Sequence, residues 1–202
     1  VAVPDAQTVA DMYKTYVKES FVVDSLGNKT NKDAFQNLDS AVFKSVLKDG
    51  KFEKVVNLPV FVVENNGTNL YVVPLAGNGL WDKIWGYAAL QTDFSTIAGT
   101  VFDHKGETPG LGAEMVKPFF QAQFVGRQMF DGDNFVALSV YKGDPKKNDC
   151  QDKLHGIDAI SGSTMTTNGV QKMVNDCLKA YAPFRAKLGQ TLLVQFLIHS
   201  ML

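Results

Sequence analysis

The sequence predicts an α+β fold in a single domain, with a twisted, mainly antiparallel sheet and helices packed on it. Three observations lead to this prediction. The chain has 202 residues, 45% of them hydrophobic, which is enough to bury one sizeable core. Short extended apolar runs are separated by short polar turns, a pattern that favours antiparallel pairing. Helical segments alternate with these runs, and there is no internal repeat, low-complexity tract or obvious linker.

The first part of the chain predicts helices, and the middle predicts strands. Helices are expected at about 5–18 and 32–48. The extended runs lie at 60–63, 70–73, 84–90, 95–102 and 135–141. Asn65-Asn66-Gly67 is a clear turn between the first two runs. Residues 91–93 contain no glycine but have to form the turn before the fourth run, and the amphipathic segment 114–124 is compatible with either helix or strand.

A longer helix is predicted near the C-terminus. Its apolar residues recur at the i, i+3, i+4, i+7 spacing of one helix face, namely Val170, Met173, Val174, Cys177, Leu178 and Tyr181. Asn168 and Gln171 have the spacing of a capping pair at its start. Pro183 marks its far end.

The residues just before this helix are rich in small and hydroxyl side chains. Positions 158–167 read Asp-Ala-Ile-Ser-Gly-Ser-Thr-Met-Thr-Thr. One interpretation is a plain helix start, because Ser, Thr and Asn cap the first free N–H groups. A helix N-terminus beside a glycine also offers N–H groups and the positive end of the helix dipole to an anion. A ligand phosphate would fit there.

Two further segments contain glycine next to aromatic or turn residues. Positions 77–81 read Gly-Asn-Gly-Leu-Trp, where the glycines indicate a turn between strands and Trp81 and Trp85 are compatible with core aromatics. Positions 104–114 read His-Lys-Gly-Glu-Thr-Pro-Gly-Leu-Gly-Ala-Glu. Thr-Pro-Gly is a strong turn signal, and Gly112 adds a second point where the backbone can approach a flat ring closely.

The pattern of Asp158, two residues and then 161–164 resembles the flavinylation motif of the FMN-binding domain family. With the other two segments in the expected order, the chain is similar to the C subunits of bacterial Na+-translocating NADH:quinone reductases. Residues 58–182 carry this resemblance, which leaves 1–57 as an N-terminal helical region and 183–202 as a tail. The G subunit of a related electron-transport complex shares the run from Glu107 to Gly112. It typically lacks the Gly-Leu-Trp segment in this form, and it stays an alternative.

The resemblance implies that Thr164 carries FMN through a phosphoester, transferred from FAD by a dedicated flavin transferase. Asp158, Ser161 and Gly162 complete the motif. The family usually has alanine where this chain has Ser163, and we expect modification to survive because serine is nearly isosteric. Ser163 nevertheless adds a competing hydroxyl, as do Thr166 and Thr167. The other flavin-binding residues that the resemblance implies are Gly79, Leu80, Trp81, Glu107, Thr108, Gly110, Leu111 and Gly112.

Several function classes are not supported. The net charge of −1 gives no electrostatic case for nucleic acid. No Gly-x-Gly-x-x-Gly fingerprint opens a helix in a βαβ unit, so we expect an electron carrier without its own NADH oxidation and without catalytic residues. His104 and Glu107 have no third ligand at a suitable spacing, so we expect an ordinary hydrogen-bonded or exposed pair and no metal.

The resemblance also implies partners and a location. The partners are the other subunits of the reductase and the flavin transferase. Family members carry one N-terminal membrane helix, but this chain has no apolar run of 18 residues and no signal peptide. We therefore expect a processed soluble domain on the outer, periplasmic face of the bacterial inner membrane. A non-enzymatic module that binds a small ligand or partner without covalent flavin is the alternative from another class.

Two features are left open by the sequence. Cys150 and Cys177 form no metal or redox motif. A disulfide could persist outside the cytoplasm, but a buried free thiol is at least as compatible with Cys177 on the apolar helix face. The apolar segment 192–198 is too short to span a bilayer. It is compatible with a last core strand, a contact surface or a tail foreign to the family.

Overall fold

A computed structural model describes residues 5–38, 57–147 and 150–189. Its centre is a six-stranded sheet in the order β2-β1-β3-β4-β5-β6, in which every neighbouring pair is antiparallel. The predicted α+β class with a mainly antiparallel sheet is therefore confirmed. The strands are β1 Val17–Val23, β2 Lys29–Thr30, β3 Leu58–Asn65, β4 Thr68–Asn78, β5 Lys83–Leu90 and β6 Ile97–His104.

Four predicted extended runs correspond to the consecutive strands β3 to β6. The turn between β3 and β4 forms where it was expected, with φ of 50° at Asn66 and 77° at Gly67. Both residues tolerate the left-handed region, which matches the twist of a tight hairpin. The connection from β5 to β6 also turns without glycine: Asp93 Oδ1 accepts hydrogen bonds from the N–H groups of Ser95 and Thr96. Phe94 adopts the left-handed φ of 50° that a glycine would usually take, and the hydrogen bonds to Asp93 hold the turn.

The N-terminal region contains two strands, β1 and β2, where only helices were expected. A helix spans Ala6–Tyr16, capped by Asp5, and ends where Val17 begins β1. The predicted helix at 5–18 is therefore slightly too long. Helical structure in the second predicted segment is described for Ala34–Leu38, and its remainder from 39 to 48 lies outside the described residues. Region 1–57 is thus not purely helical, because β1 pairs along β3.

Two other segments need comment: 135–141, which was predicted as one strand, and 114–124, which was compatible with helix or strand. The predicted strand 135–141 is wrong as one element, because it divides into Asn134–Phe135 (β8), paired with Phe130–Asp131 (β7), and Ser139–Tyr141 (β9), paired in parallel with Gly156–Asp158 (β10). Asn175 and Gln171 separate the two pieces, since both side chains bind the backbone of Leu138. The segment 114–124 is helical, as the turns Gly112–Val116, Pro118–Gln121 and Ala122–Phe124.

The long helix Thr164–Ala180, hereafter the site helix, packs on β4 and closes the main core. Its predicted apolar face is confirmed, because Val170, Met173, Val174, Cys177 and Leu178 are all buried. The predicted capping pair Asn168–Gln171 is wrong, since the helix begins earlier, with Ser163 as its N-cap residue. Helical backbone resumes at 182–189. The apolar segment 192–198 lies outside the described residues.

The two cysteines are free, buried thiols and not a disulfide. Cys177 Sγ lies 3.6 Å from the carbonyl oxygen of Ala76, and Cys150 Sγ lies 3.7 Å from that of Asp152. Each thiol thus contacts a backbone carbonyl in a different part of the fold. Among the helices of the described segments, none is long and apolar enough to cross a membrane.

Candidate functional site

The three sequence motifs meet at the N-terminal end of the site helix, and the Glu107 side chain joins them. This carboxylate is only 4% exposed. Its Oε1 atom accepts a hydrogen bond from the backbone N–H of Trp81 at 3.0 Å, and its Oε2 atom accepts one from Thr166 Oγ1 at 2.5 Å. The Glu107 N–H in turn donates to His104 Nδ1 at 3.2 Å. Glu107 is therefore an internal connection between two loops and a helix.

Two motif glycines make room for this carboxylate. A Cβ at Gly79 would lie 2.3 Å from Glu107 Oε1, and a Cβ at Gly112 would lie 2.3 Å from Oε2 and 2.6 Å from Thr166 Oγ1. Real Cβ atoms do not approach oxygen so closely. Neither glycine has a φ that itself demands glycine, so these glycines serve close packing and not a special backbone conformation.

The five hydroxyl groups of the helix start fall into two classes. Ser163, Thr166 and Thr167 are buried and hydrogen-bonded. Ser163 Oγ donates to Thr166 Oγ1 at 3.0 Å, and Thr166 donates to Glu107. Thr167 Oγ1 bridges the Ile160 N–H and the Ser163 carbonyl. By contrast, Ser161 and Thr164 are exposed. The structure therefore leaves only two of the five hydroxyls accessible to a large reagent.

Thr164 is the first residue of the site helix, where backbone donors have no partner within the helix. The side chain of the N-cap residue Ser163 makes no capping hydrogen bond, because its hydroxyl is directed to Thr166 instead. No acidic residue lies in the first turn. The helix start thus presents free N–H groups and the positive end of its dipole next to the exposed Thr164 hydroxyl, as an anion site requires.

Asp158 holds the motif from the other side. It is 1% exposed, and its Oδ2 atom accepts the N–H of Cys150 at 3.1 Å. The amide of Gln123, itself 1% exposed, pairs with both the N–H and the carbonyl of Asp158, at 2.8 and 3.3 Å. A Cβ at Gly143 would lie 1.9 Å from Asp158 Oδ1. Asp158 therefore has a structural role beneath the site, where its carboxylate is not accessible to a ligand.

A cleft of about 440 Å³ opens beside Thr164. Its walls come from β9 and the turn after it, from 159–162, and from the helix start; Tyr141, Lys142, Gly143, Gly162, Thr164 and Asn168 are among the lining residues. A second cleft of about 520 Å³ adjoins it through Gly143, Ile160 and Ser161 and reaches Gly110 and Phe119. Among the described residues that line the first cleft, Lys142 is the one cationic side chain. The space suits an elongated ligand with an anionic end.

Exposed apolar side chains surround the same helix start. Leu80 is 45% exposed, Trp81 68%, Leu111 41% and Met165 63%. Trp81 is not a core aromatic: its indole Nε1–H donates to Thr108 Oγ1 at 3.1 Å, which holds the ring at the surface. Leu111 lies next to Gly162, where φ is 72° and a Cβ would be 3.0 Å from Leu111 Cδ2. Apolar groups kept in solvent beside an exposed hydroxyl suit a flat, partly apolar ring.

The predicted site residues divide into an open group and a supporting group. The open group is exposed and consists of Leu80, Trp81, Thr108, Gly110, Leu111, Ser161, Gly162 and Thr164, of which Gly110, Ser161, Gly162 and Thr164 line the clefts. Gly79, Glu107, Gly112, Asp158 and Ser163 support the site from within. Gln123, Lys142 and Gly143 were not predicted from the sequence, and neither was the hydrogen bond from Thr166 to Glu107. Their chemistry depends on contacts between distant segments, and no spacing along the chain signals it.

The His104 ring nitrogen Nδ1 accepts the Glu107 N–H, and the His104 N–H donates to Asp103 Oδ1. Within 5–38, 57–147 and 150–189, no group of three or more His, Cys, Asp or Glu side chains is placed to hold a metal ion.

Comparison with known proteins agrees with this geometry. The model of the FMN-binding domain family matches residues 79–179, half of the chain, a range that contains the first motif from Gly79 onward and the whole of the other two. The chain belongs to the FMN-binding domain family. Its relatives include the C subunit of Na+-translocating NADH-quinone reductase from Vibrio vulnificus strain YJ016, with 37% identity over 144 residues, 69% of this chain and 55% of that protein. The corresponding protein of Vibrio anguillarum is 30% identical over 200 residues, covering 91% and 76% of the two chains.

A solved structure gives the same result. The crystal structure of the Na+-translocating NADH-quinone reductase C subunit from Parabacteroides distasonis matches with a TM-score of 0.75 and 34% identity, over 91% of this chain and 85% of that one. The resemblance to the C subunits that the three motifs indicate is therefore confirmed. The chain spans about half the length of the Vibrio vulnificus relative.

Proposed function

We propose that this domain carries FMN covalently, through a phosphoester to Thr164, and relays electrons as the C subunit of a Na+-translocating NADH:quinone reductase. The observation that carries the attachment is the division of the hydroxyls. Ser163, Thr166 and Thr167 are buried in hydrogen bonds, whereas Thr164 is exposed at the first position of the helix. Of the two exposed hydroxyls, Thr164 occupies the position that the family motif modifies.

The residues present fit a phosphoester. Thr164 Oγ1 would displace AMP from the FMN phosphorus of FAD, losing its proton as the P–O bond to AMP breaks. The resulting phosphodiester keeps one negative charge beside the uncapped helix start. The helix dipole stabilises such a charge by about 0.3–1 kcal/mol where it is exposed. Lys142 in the adjacent cleft adds a cation on the same side.

The surroundings of Thr164 also fit a tethered ring. A covalent tether raises the effective concentration of the flavin, so the ring does not need tight noncovalent binding. The exposed Leu80, Trp81 and Leu111 can contact one part of the ring while leaving another part open. FMN supplies the one- and two-electron chemistry, whereas the protein positions it. An open ring edge is what electron exchange with neighbouring subunits requires.

The similarity to the reductase C subunits of the two Vibrio species and of Parabacteroides distasonis favours this assignment over the G subunit of the related complex. On this proposal the partners are the other reductase subunits, and a flavin transferase matures the protein. The domain lies on the periplasmic face of the bacterial inner membrane, attached through an N-terminal helix of the full-length protein.

The attachment is tested by making the chain together with a flavin transferase. We expect in-gel flavin fluorescence after denaturation and an intact mass increased by FMN less one water. Both signals disappear in Thr164→Ala and persist in Thr164→Ser, which keeps a hydroxyl. An unmodified wild-type mass in the presence of active transferase favours the alternative, a noncovalent ligand- or partner-binding module. Fluorescence that survives in Thr164→Ala shows that another residue is modified.

A further inference from the structure

Resting on the function proposed above, we propose that Glu107 is a positioning residue: it does not touch the flavin but fixes the apolar ring-binding wall relative to Thr164. The sequence resemblance places Glu107 among the flavin contacts. The structure instead shows a carboxylate that is 4% exposed, with one oxygen bound to the Trp81 N–H and the other to the Thr166 hydroxyl. Both oxygens are therefore engaged by protein groups, and the side chain is almost fully covered by protein.

The two partners of Glu107 belong to different parts of the site. Trp81 lies in the loop between β4 and β5, and Thr166 lies in the first turn of the site helix. Thr164, two residues earlier on that helix, is the attachment point. One carboxylate thus sets the distance between the tether and the exposed indole. The second indole contact, from Nε1 to Thr108 Oγ1, then orients the ring of Trp81.

The packing around Glu107 supports a role in fixed geometry. Gly79 and Gly112 leave space for the carboxylate on two sides, since a Cβ at either position would lie 2.3 Å from one of its oxygens. Leu111, next to Gly112, thereby stays close to Gly162 on the helix side. The loop with Leu111, the loop with Trp81 and the helix start are consequently held by a single side chain.

Stability alone does not account for this arrangement. Within the described segments no lysine or arginine forms an ion pair with Glu107, and its two donors are neutral groups. Burying a carboxylate costs free energy that neutral hydrogen bonds only partly offset. Even a buried ion pair can often be replaced by apolar side chains of similar volume without loss of stability. What such a replacement does not provide is two directional acceptors at fixed positions.

Substitution by glutamine changes this geometry with little change of volume. Glutamine has one acceptor oxygen, and the fixed Trp81 N–H requires it. The amide NH2 group then faces Thr166 Oγ1, which already accepts the Ser163 hydroxyl. The Thr166 oxygen can accept both donors, but the Thr166 O–H then has no acceptor at residue 107, and the helix start loses the carboxylate that fixed its direction.

The experiment uses flavinylated protein and reads the order of the ring. In Glu107→Gln we expect wild-type FMN stoichiometry on Thr164, because that hydroxyl lies outside the chain of hydrogen bonds. We also expect the loss of most of the visible circular dichroism of the flavin and a lower fluorescence anisotropy. Glu64→Gln, an exposed glutamate on β3 far along the sheet, is the matched control for the charge change and retains both signals.

A second pair of variants covers the case in which Glu107→Gln does not fold. Thr166→Val removes the hydroxyl that donates to Glu107 at nearly constant volume, and Thr166→Ser keeps it. We expect Thr166→Val to lose the flavin dichroism and Thr166→Ser to restore it. Wild-type spectra in both Glu107→Gln and Thr166→Val overturn the positioning role while leaving the attachment to Thr164 intact. A wild-type protein without adduct overturns the proposed function and this inference together.

Discussion

Gly169 of the site helix lies directly against the carbonyl group of Asn78 at the end of β4. A Cβ at Gly169 would be 2.4 Å from the Asn78 oxygen and 3.2 Å from the Cα of Gly79. Both atoms belong to the backbone, so a side-chain rotation cannot relieve the clash. This contact brings the segment with Gly79, Leu80 and Trp81 up to the helix that carries Thr164.

We therefore expect Gly169→Ala to be destabilising. Alanine normally stabilises a helix interior by about 1 kcal/mol relative to glycine. Here the added methyl forces the helix and β4 apart, and overpacking of this kind costs about 1–3 kcal/mol. The measurement is the free energy of unfolding from a denaturant titration, together with the visible dichroism of attached flavin.

Gly99→Ala is the matched control. Gly99 lies in β6, has an ordinary φ and has no atom within 4 Å of a Cβ position. We expect its stability to equal or exceed that of the wild type. If Gly169→Ala is as stable as Gly99→Ala, the close approach of helix and strand is not a constraint in solution.

The central strands were predictable because they combine apolar runs with local turn chemistry. Asn66-Gly67 fixes the β3–β4 hairpin through residues that tolerate positive φ. Strand β1 was missed because it follows the first helix without a turn residue, and its exposed half, with Lys18 and Glu19, is equally compatible with a helix surface. Its strand identity comes from pairing with β3, more than thirty residues away, which is tertiary and not local information.

The sequence was sufficient to predict which three segments form the site, but not which of their side chains are exposed and which are buried. Resemblance placed three segments together, and the structure brings them together. It could not separate groups that face the cleft from groups buried beneath it. Glu107 and Asp158 were both expected at the cofactor, yet both are buried against protein groups. Whether a side chain is buried depends on residues that pack against it from other segments, here Gly112 against Glu107 and Gly143 against Asp158. Tertiary contacts of this kind cannot be read from the local sequence.

Ser163 is where the chain departs from the usual family pattern, and it gives the next prediction. Its hydroxyl donates to Thr166 and is buried, so it does not compete with Thr164. We expect Ser163→Ala to be flavinylated on Thr164 at the wild-type level. The loss of one hydrogen bond should cost about 0.5–1.5 kcal/mol of unfolding free energy. Peptide mapping by mass spectrometry locates the adduct, and thermal denaturation measures the stability.

Two results would contradict this prediction. An adduct on Ser163 itself in the wild-type protein would show that the buried hydroxyl becomes accessible to the transferase. A Ser163→Ala protein without adduct would show that the serine is needed for modification and not merely tolerated. Thr167→Val is a useful comparison, because it removes a hydroxyl that bridges Ile160 and Ser163 and should cost more stability.

Trp81 should affect the flavin far more than the fold. Its side chain is 68% exposed, so Trp81→Ala is expected to change the unfolding free energy by no more than about 0.5 kcal/mol. If the indole contacts the tethered ring, its removal raises flavin fluorescence and lowers its anisotropy. Trp85→Ala is the control, since Trp85 lies on β5 beside Asp103 and is 37% exposed. Equal fluorescence in Trp81→Ala and wild type would exclude Trp81 from the ring site.

Alkaline pH should destabilise the protein through two buried groups on or next to the site helix. Burial raises the pKa of the Cys177 thiol above its ordinary value of 9.0, and burial raises the pKa of the Tyr181 hydroxyl well above 10.0. Tyr181 also donates to the carbonyl of Pro59 at 2.7 Å. Both groups stay protonated in the folded chain at pH values where the unfolded chain already loses those protons.

The sign of the effect follows from proton linkage. Below the unfolded pKa values both states bind the same protons, and the stabilising contribution is fully present. As pH rises above about 9 for Cys177 and about 10 for Tyr181, the unfolded state binds fewer protons, so the free energy of unfolding falls. Each group contributes a slope of up to about 1.4 kcal/mol per pH unit. Denaturant titrations from about pH 8 to about pH 11, a range that brackets both unfolded pKa values, measure these slopes on wild type, Cys177→Ala and Tyr181→Phe. Relative to wild type, the unfolding free energy of Cys177→Ala should fall less steeply with pH from about pH 9 upward, and that of Tyr181→Phe only from about pH 10 upward. Parallel curves for all three proteins would show that neither group governs alkaline stability.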